Sequence, residues 1–275
     1  ILQVYHKGET NNQNRQVKYS TGTSVSFPVR LVPGRDYQFV VWADVVDAVD
    51  TDSKYYDTSD LTNITLKDNS WNAMDEKRDA FTATYMASKF NGSQSINIPL
   101  YRPFAKLRIV ATDYDVLAQQ PSGAVVPHHA TVKYYTDHRV AFNAYTGKAA
   151  DATLVEKEHN EYVIKTYSNE NDINGDHTIF SDYFFAENDI VRFEISVYTE
   201  GGELIKKTTF PTDINVRRNY LTTLKGDVLT VGGNVGVTVL PGIGGADEPD
   251  YNYTVVTSAK QLIDIANAGG QYKIG

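Results

Sequence analysis

The sequence predicts an all-β protein, with two consecutive β-sandwich domains followed by a short α/β segment. Three observations carry this. Most of the chain alternates apolar and polar residues with period two, the pattern of strands with one buried face. Tyr is abundant, at 19 residues, among many Thr, Val and Ile, and these residue types pack well on a pleated surface. Turn signals separate the runs at sandwich spacing, and helical periodicity is almost absent.

Taken in order, Ile1, Leu2, Val4 and Tyr5 form a first strand. Over residues 24–31, Val25, Phe27, Val29 and Leu31 share one face against Ser24, Ser26 and Arg30, so a strand is expected there. Pro28 in the outer phase makes it an edge or a bulge. Pro33-Gly34 turns the chain into Tyr37–Ala43, an apolar run of the kind buried on both faces. Residues 44–60 read as a polar loop. Strands follow at about 61–66, 81–86, 95–100 and 105–112. The turn-rich stretch from Asp113 to Pro127 marks a domain boundary, with 1–112 as the N-terminal sandwich and 113–240 as the C-terminal one. In the second half, strands are expected at 131–136, 161–166, 191–198, 203–210 and 220–224. Val235, Val237 and Val239 alternate as a last strand. Residues 241–250 (PGIGGADEPD) form a linker. Beyond it, Tyr253–Val256 reads as a strand. Ser258 with Gln261 reads as a capping box, and Leu262, Ile263, Ile265 and Ala266 as an amphipathic turn. Residues 251–275 are thus expected to be the start of a truncated third domain, or else a docked C-terminal helix.

Composition narrows the function. The 275 residues give each of two domains enough chain for a core, and 41% hydrophobic with 22% charged residues is a folded composition. Lys and Arg number 26 against 34 Asp and Glu, a net charge of -8, which argues against nucleic acid as a partner. There is no Cys, so disulfides, thiolate metal sites and thiol catalysis are excluded together. No run of about 18 apolar residues offers a membrane-spanning helix. The sequence opens on Ile1 inside an apolar stretch without a signal-peptide pattern, as expected of a processed or trimmed form.

No catalytic, cofactor or metal site emerges. His128 and His129 are adjacent on a strand and are expected to point to opposite faces, with no third ligand placed by spacing. Asp172, Asn174 and Asp176 have the start of a calcium-loop spacing, but the sixth and twelfth positions hold His177 and Tyr183 in place of Gly and Glu. Asp47, Asp50 and Asp52 form a similar acidic loop. Gly232, Gly233 and Gly236 lead into a strand, not a helix, so they do not cradle a phosphate. No Gly-x-Ser-x-Gly elbow occurs, and no carboxylate pair stands out for glycosidase chemistry. Asn63-Ile-Thr65 and Asn91-Gly-Ser93 match a glycosylation tripeptide. Trp42, Trp71, Tyr55, Tyr56 and Tyr101 are the aromatic residues that could stack on sugars. Trp42 reads as core from its apolar strand, whereas Tyr55 and Tyr56, in a polar loop, are the expected surface contacts.

Four stretches carry a resemblance: Leu31–Asp44 (LVPGRDYQFVVWAD), Asp79-Ala-Phe81, Leu100–Asp113 (LYRPFAKLRIVATD) and Arg218–Thr230 (RNYLTTLKGDVLT). Together, and in this order, they resemble the fimbrillin family of Bacteroidales (FimA/Mfa-type, type V pilins) over residues 1 to about 240. The blocks at 100–113 and 218–230 are the most specific, and 251–275 lie outside the likeness.

The resemblance implies transthyretin-like sandwiches and a lipoprotein precursor exported to the outer membrane and cell surface. It implies assembly in which a protease removes an N-terminal strand and the groove accepts a strand from the next subunit. Arg15 follows the first strand, so the processing site is expected upstream of Ile1. The function so implied is a non-enzymatic fimbrial subunit acting in adhesion. Its partners are other pilus subunits and a host or bacterial receptor such as a glycan, with the membrane reached only through a lipid anchor on the precursor. Val235, Val237 and Val239 are the candidate donor strand. The linker and new domain start after them point to a tip or accessory subunit. The alternative is a carbohydrate-binding surface module of a larger protein.

Overall fold

The computed structural model describes residues 1–9, 11–67, 71–89, 91–119, 125–150, 152–153, 158–164, 177–230, 235–241 and 253–254. The strands of the first half are β1 (Leu2–His6), β2 (Asn12–Gln16), β3 (Tyr37–Asp44), β4 (Tyr56–Asp57), β5 (Ile64–Leu66), β6 (Ala80–Ala87) and β7 (Phe104–Ala111). Those of the second are β8 (His129–Tyr134), β9 (His138–Arg139), β10 (Ala141–Asn143), β11 (Lys148–Ala149), β12 (Ala152–Thr153) and β13 (Glu158–Val163). They continue with β14 (His177–Phe185), β15 (Asn188–Tyr198), β16 (Leu204–Arg217), β17 (Tyr220–Gly226), β18 (Val235–Pro241) and β19 (Tyr253–Thr254). Among the described residues the helical structure is a 3-10 turn at Glu76–Arg78 and α1 (Tyr114–Ala118). The protein is all-β and built from sandwiches.

One sandwich packs the sheet β2-β1-β3-β6 on the sheet β11-β10-β5-β4. Its core joins Val40 and Trp42 of β3 to Tyr56, Ile64 and Phe142 from the facing sheet. Trp42 is wholly buried and meets Tyr56 edge-on at 5.5 Å, an arrangement that aromatic quadrupoles favour. The β3 run is apolar in both phases because both faces are covered. Val40 and Trp42 point into this core, while Tyr37 and Phe39 join Leu2 and Val4 on the other face.

That outer face corrects one expectation. Residues 24–31 are not a strand. Their alternation is real, but Phe27, Val29 and Leu31, with Ile98, lie against the outer face of the sheet as a cover. Pro28 has no N–H for a ladder, and its carbonyl accepts from the Gln16 side chain at 2.9 Å. Residues 95–100 likewise run without strand pairing and contribute Ile98. A periodic apolar face therefore reported burial, not hydrogen bonding.

The second sandwich packs the sheet β12-β9-β14-β7-β17-β18-β19 on β13-β8-β15-β16. Leu107, Ile109, Phe180 and Leu224 from the first meet Val132, Tyr134, Phe193 and Ile195 from the second. Strand β7 lies at the expected boundary after residue 112, where the sequence allows it to belong to either side. It pairs with β14 antiparallel and β17 parallel, inside the second sandwich. The hairpin β10–β11 makes the reverse crossing and pairs with β5 of the first. The two halves are thus tied by exchanged elements as well as by contact. The strand expected at 203–210 runs on to Arg217, and β14 and the short strands β9 to β12 were not anticipated. The segments expected at 241–250 and 251–275 lie outside the described residues, except for Pro241 and the two-residue strand β19.

Candidate functional site

The seam between the sandwiches is where polar chemistry concentrates. Strand β14 reads HTIFSDYFF and is buried along nearly its whole length, so Asp182 is carried into the interior with its neighbours. A buried carboxylate needs matched donors. Asp182 accepts from Arg78 Nη1 at 2.8 Å, Trp71 Nε1 at 3.0 Å, its neighbour Tyr183 N at 2.8 Å and Tyr134 OH at 3.0 Å. The Arg78 and Asp182 side chains are 2% and 0% exposed, which makes this a buried ion pair.

Arg78 arrives there because the chain between β5 and β6 docks on β14. Met74 N donates to Ser181 O at 2.9 Å, a backbone bond along that strand's edge. The 3-10 turn is capped by Asp75, whose carboxylate accepts from Lys77 N at 3.1 Å. Arg78 Nη1 also donates to Asn72 O at 3.0 Å, and Nη2 donates to Tyr183 O. Tyr56 OH donates to Arg78 O from the first sandwich core. One guanidinium thus binds the connection, β14 and the core together.

Two further ionic contacts continue the seam. Glu76 accepts from Lys106 Nζ at 2.6 Å, from Ser181 Oγ at 3.1 Å and from Tyr183 OH. Burial opposes ionisation of Glu76, but the Lys106 charge and these three donors outweigh it and hold the carboxyl below its ordinary range. Burial, then the Glu76 carboxylate, push the Tyr183 phenol up. Arg102 forms a fork with Asp79 at 2.7 to 2.9 Å and lies over the Phe81 ring at 4.6 Å.

On another side of the seam the sandwiches part into a cleft of about 580 Å³. One wall is Thr82 and Thr84 of β6, the last strand of its sheet. Thr82 exchanges both backbone hydrogen bonds with Tyr101, at 2.8 and 2.9 Å, and the pairing stops there. The opposite wall is Glu187 and the turn from Arg217 to Tyr220. Asn219 holds that turn with φ of 63°, donates its N–H to Phe104 O at 2.6 Å and accepts from Arg102 N at 3.2 Å. Arg218 donates to Gly147 O and lies 3.8 Å from Glu187, which accepts from Ala149 N at 2.8 Å. The hairpin after β10 is fixed by these bonds.

The residues singled out from sequence fare differently. Tyr55 and Tyr56 are not surface contacts: they are 5% and 1% exposed. Their polar neighbours made the segment look like a loop tip, but Tyr56 packs between Trp42 and Phe104, at 5.5 and 5.6 Å. Burial, then a hydrogen bond to Asp75, push the Tyr55 phenol up to about 12. Trp71 is not a sugar platform, since its indole stacks on Tyr134 and bonds Asp182. Tyr101 alone of the five aromatic candidates is exposed, at 53%. The backbones of Val235, Val237 and Val239 lie in β18, opposite Gly226, Leu224 and Thr222 of β17. His128 and His129 do meet, Nδ1 to Nδ1 at 3.4 Å, because the strand begins only at His129. Among the described residues no three metal-binding side chains gather. In the acidic loop, Asp47 pairs with Lys54 at 2.6 Å. Residues 172–176 and Gly232-Gly233 lie outside the described residues. Sequence reasoning missed Arg78 and Asp182. The available signal was the ionic residue inside an otherwise apolar HTIFSDYFF run.

The chain belongs to a family of unknown function, DUF6562, which matches residues 1–264. No curated protein matches significantly. The fold is similar to that of a candidate cell adhesion protein from Bacteroides ovatus, at 12% identity and a TM-score of 0.51, over 89% of this chain and 87% of that one. It is also similar to the tip fimbrial protein Mfa3 from Porphyromonas gingivalis with C-terminal truncation, at 13% identity and a TM-score of 0.47, over 86% and 92%. A fimbrial assembly protein from Parabacteroides distasonis matches at 11% identity and a TM-score of 0.41, over 87% and 86%.

Two outcomes follow from the seam. Asp182→Ala strands a buried guanidinium and is expected to cost about 3 to 5 kcal/mol in denaturant unfolding. Replacing both partners, Arg78→Met with Asp182→Leu, should cost less than the single change. A cost for Asp182→Ala within about 0.5 kcal/mol, that of an ordinary surface change, would contradict this reading. Because the Glu76 pKa is depressed in the folded protein, its contribution is present above the ordinary carboxylate value and is lost as pH falls through the folded value. Wild type should therefore lose stability in acid more steeply than Glu76→Gln, as read by melting temperature from about pH 6 down to pH 3.

Proposed function

We propose that this protein is a cell-surface fimbrial subunit of the Bacteroidales type that acts in adhesion by structure and not by catalysis. The observation that carries the proposal joins sequence to fold. The two most specific stretches of the fimbrillin resemblance, 100–113 and 218–230, contain β7 and β17, which lie side by side in parallel from Leu221↔Lys106 to Gly226↔Ala111. They form the centre of the sheet on which β18 pairs. The fold likeness to the Bacteroides ovatus protein supports the same reading.

In this proposal the subunit sits at the tip or in an accessory position, and assembly proceeds by β-strand donation. Residues 235–241, with Val235, Val237 and Val239, are the donor strand. The physical basis is that an unpaired sheet edge leaves backbone donors and acceptors unsatisfied, and a strand from a neighbour satisfies them. Within one chain β18 occupies the slot beside β17 from Tyr220↔Pro241 to Gly226↔Val235. Donation exchanges that pairing for the same pairing between chains, so little is lost on transfer. The partners are other pilus subunits and a surface receptor. No helix among the described residues is long and apolar enough to cross a membrane. A lipid anchor on the precursor would serve to hold the protein at the outer membrane. The second reading, a carbohydrate-binding surface module, loses Tyr55 and Tyr56 as contacts and rests on the exposed Tyr101.

The absence of Cys makes a clean test available. Thr223 and Thr238 are Cα partners across β17 and β18. Thr223→Cys with Thr238→Cys should lock β18 onto its own chain when oxidised. The locked protein is expected to drop out of fimbrial material and to return on reduction. Equal incorporation in both states would overturn strand donation by β18.

A further inference from the structure

We propose that the cleft between the sandwiches is a binding site for a carboxylated saccharide. The inference rests on the adhesive reading above and names the ligand class that the adhesion would use.

The argument begins with charge. The protein carries a net charge of -8, yet three arginines converge on this cleft. Two are already matched. Arg102 is bound bidentately by Asp79, and Arg218 is held by Gly147 O and Glu187. Arg217 is exposed, and among the described residues no carboxylate partners it. Its guanidinium lies instead on the face of Tyr220, 4.6 Å from the ring centroid. A guanidinium seated over an aromatic ring is restrained in advance and can still offer N–H groups to a planar anion. A carboxylate accepts two parallel N–H bonds from such a fork.

The rest of the cleft favours a sugar as the carrier of that carboxylate. Tyr101 stands at the rim, 53% exposed, and among the described residues its hydroxyl has no hydrogen-bond partner. Exposed aromatic faces of this kind stack on the apolar face of a pyranose while the phenol stays wet. Asn188 and Glu187 supply an amide and a carboxylate for ring hydroxyls, which both donate and accept. The volume of about 580 Å³ lies within the range of small-molecule sites and accommodates a short oligosaccharide. One uncompensated cation matches one carboxylate. A doubly charged phosphate would leave excess negative charge beside Glu187.

The test uses the soluble chain titrated at low salt with 3′-sialyllactose and with trigalacturonic acid, followed by calorimetry. Lactose and the methyl ester of each acid serve as controls. At least one acid should bind saturably while its methyl ester and lactose do not. Arg217→Ala should weaken binding by about tenfold or more, the factor set by a charge-assisted hydrogen bond, and Tyr101→Ala should weaken it too. Both residues are exposed, so melting temperature should hold, which separates lost contact from lost fold. Absence of binding by either acid, equal binding of the methyl ester, or full retention in Arg217→Ala would overturn the proposal. Binding of a poly-glutamate peptide with no saccharide binding would overturn it in favour of a peptide site. No fimbria is needed for this measurement, so its failure leaves strand donation standing, and the disulfide lock can fail without touching it.

Discussion

A carboxylate buried between two sandwiches is the constraint on which the architecture depends. Asp182 lies inside β14 without solvent, so it is tolerable only while Arg78, Trp71, Tyr134 and the Tyr183 amide all reach it. Meeting that condition requires residues 71–79 to lie along β14. This in turn fixes where β6 begins, and hence where the first sandwich sits. The crossing of β7 into the second sandwich and of β10–β11 into the first reinforces the same arrangement by backbone pairing. An apolar seam of the same area would also hold the halves together, but it would not specify one relative position. A buried ionic network of this kind has few alternative registers, because sliding it leaves charges unpaired.

The fixed seam gives the cleft its character. Its walls come from β6 and from the turn after β16, elements of different sandwiches that a hinge would pull apart. Asn219 and Arg102 bind each other across this gap, and the hairpin after β10 is pinned by Arg218. A ligand entering this cleft would meet walls already in place, which would reduce the ordering cost of binding. The open edges are handled differently. Strand β16 is the last of its sheet, and it carries Lys206, Lys207 and a register break opposite Val191–Phe193, features that discourage unplanned pairing. Strand β18 lies between β17 and the two-residue β19, with regular antiparallel pairing to β17 over seven residues.

How legible this was depended on which physical signal each segment carried. Strands with one buried face, such as 191–198, announced themselves by alternation. Strand β14 did not, because Ser181 and Asp182 interrupt a run buried on both faces, and the residues that obscured it are those that bind the seam. Residues 24–31 misled in the opposite sense: their alternation is real, but it covers a sheet face without joining a ladder. The burial of Tyr55 and Tyr56 was invisible because a short strand of two residues, β4, carries no period of its own. Of the cleft, only Tyr101 was picked out from the sequence, since Arg217 and Tyr220 meet through a turn whose shape no local pattern reveals. The resemblance marked the blocks at 100–113 and 218–230 as the most specific, but only the structure shows β7 and β17 paired side by side.

The central claim is that this chain exists in the cell as part of a strand-exchanged surface polymer. The direct measurement is a gel of material sheared from its native cells, run unheated and boiled, and probed with an antibody to this chain. The account predicts a species heavier than the monomer in the unheated fimbrial fraction that collapses to the monomer band on boiling, because exchanged strands withstand detergent but not heat. A chain that runs as a monomer without heating, and is absent from the fimbrial fraction, would contradict it.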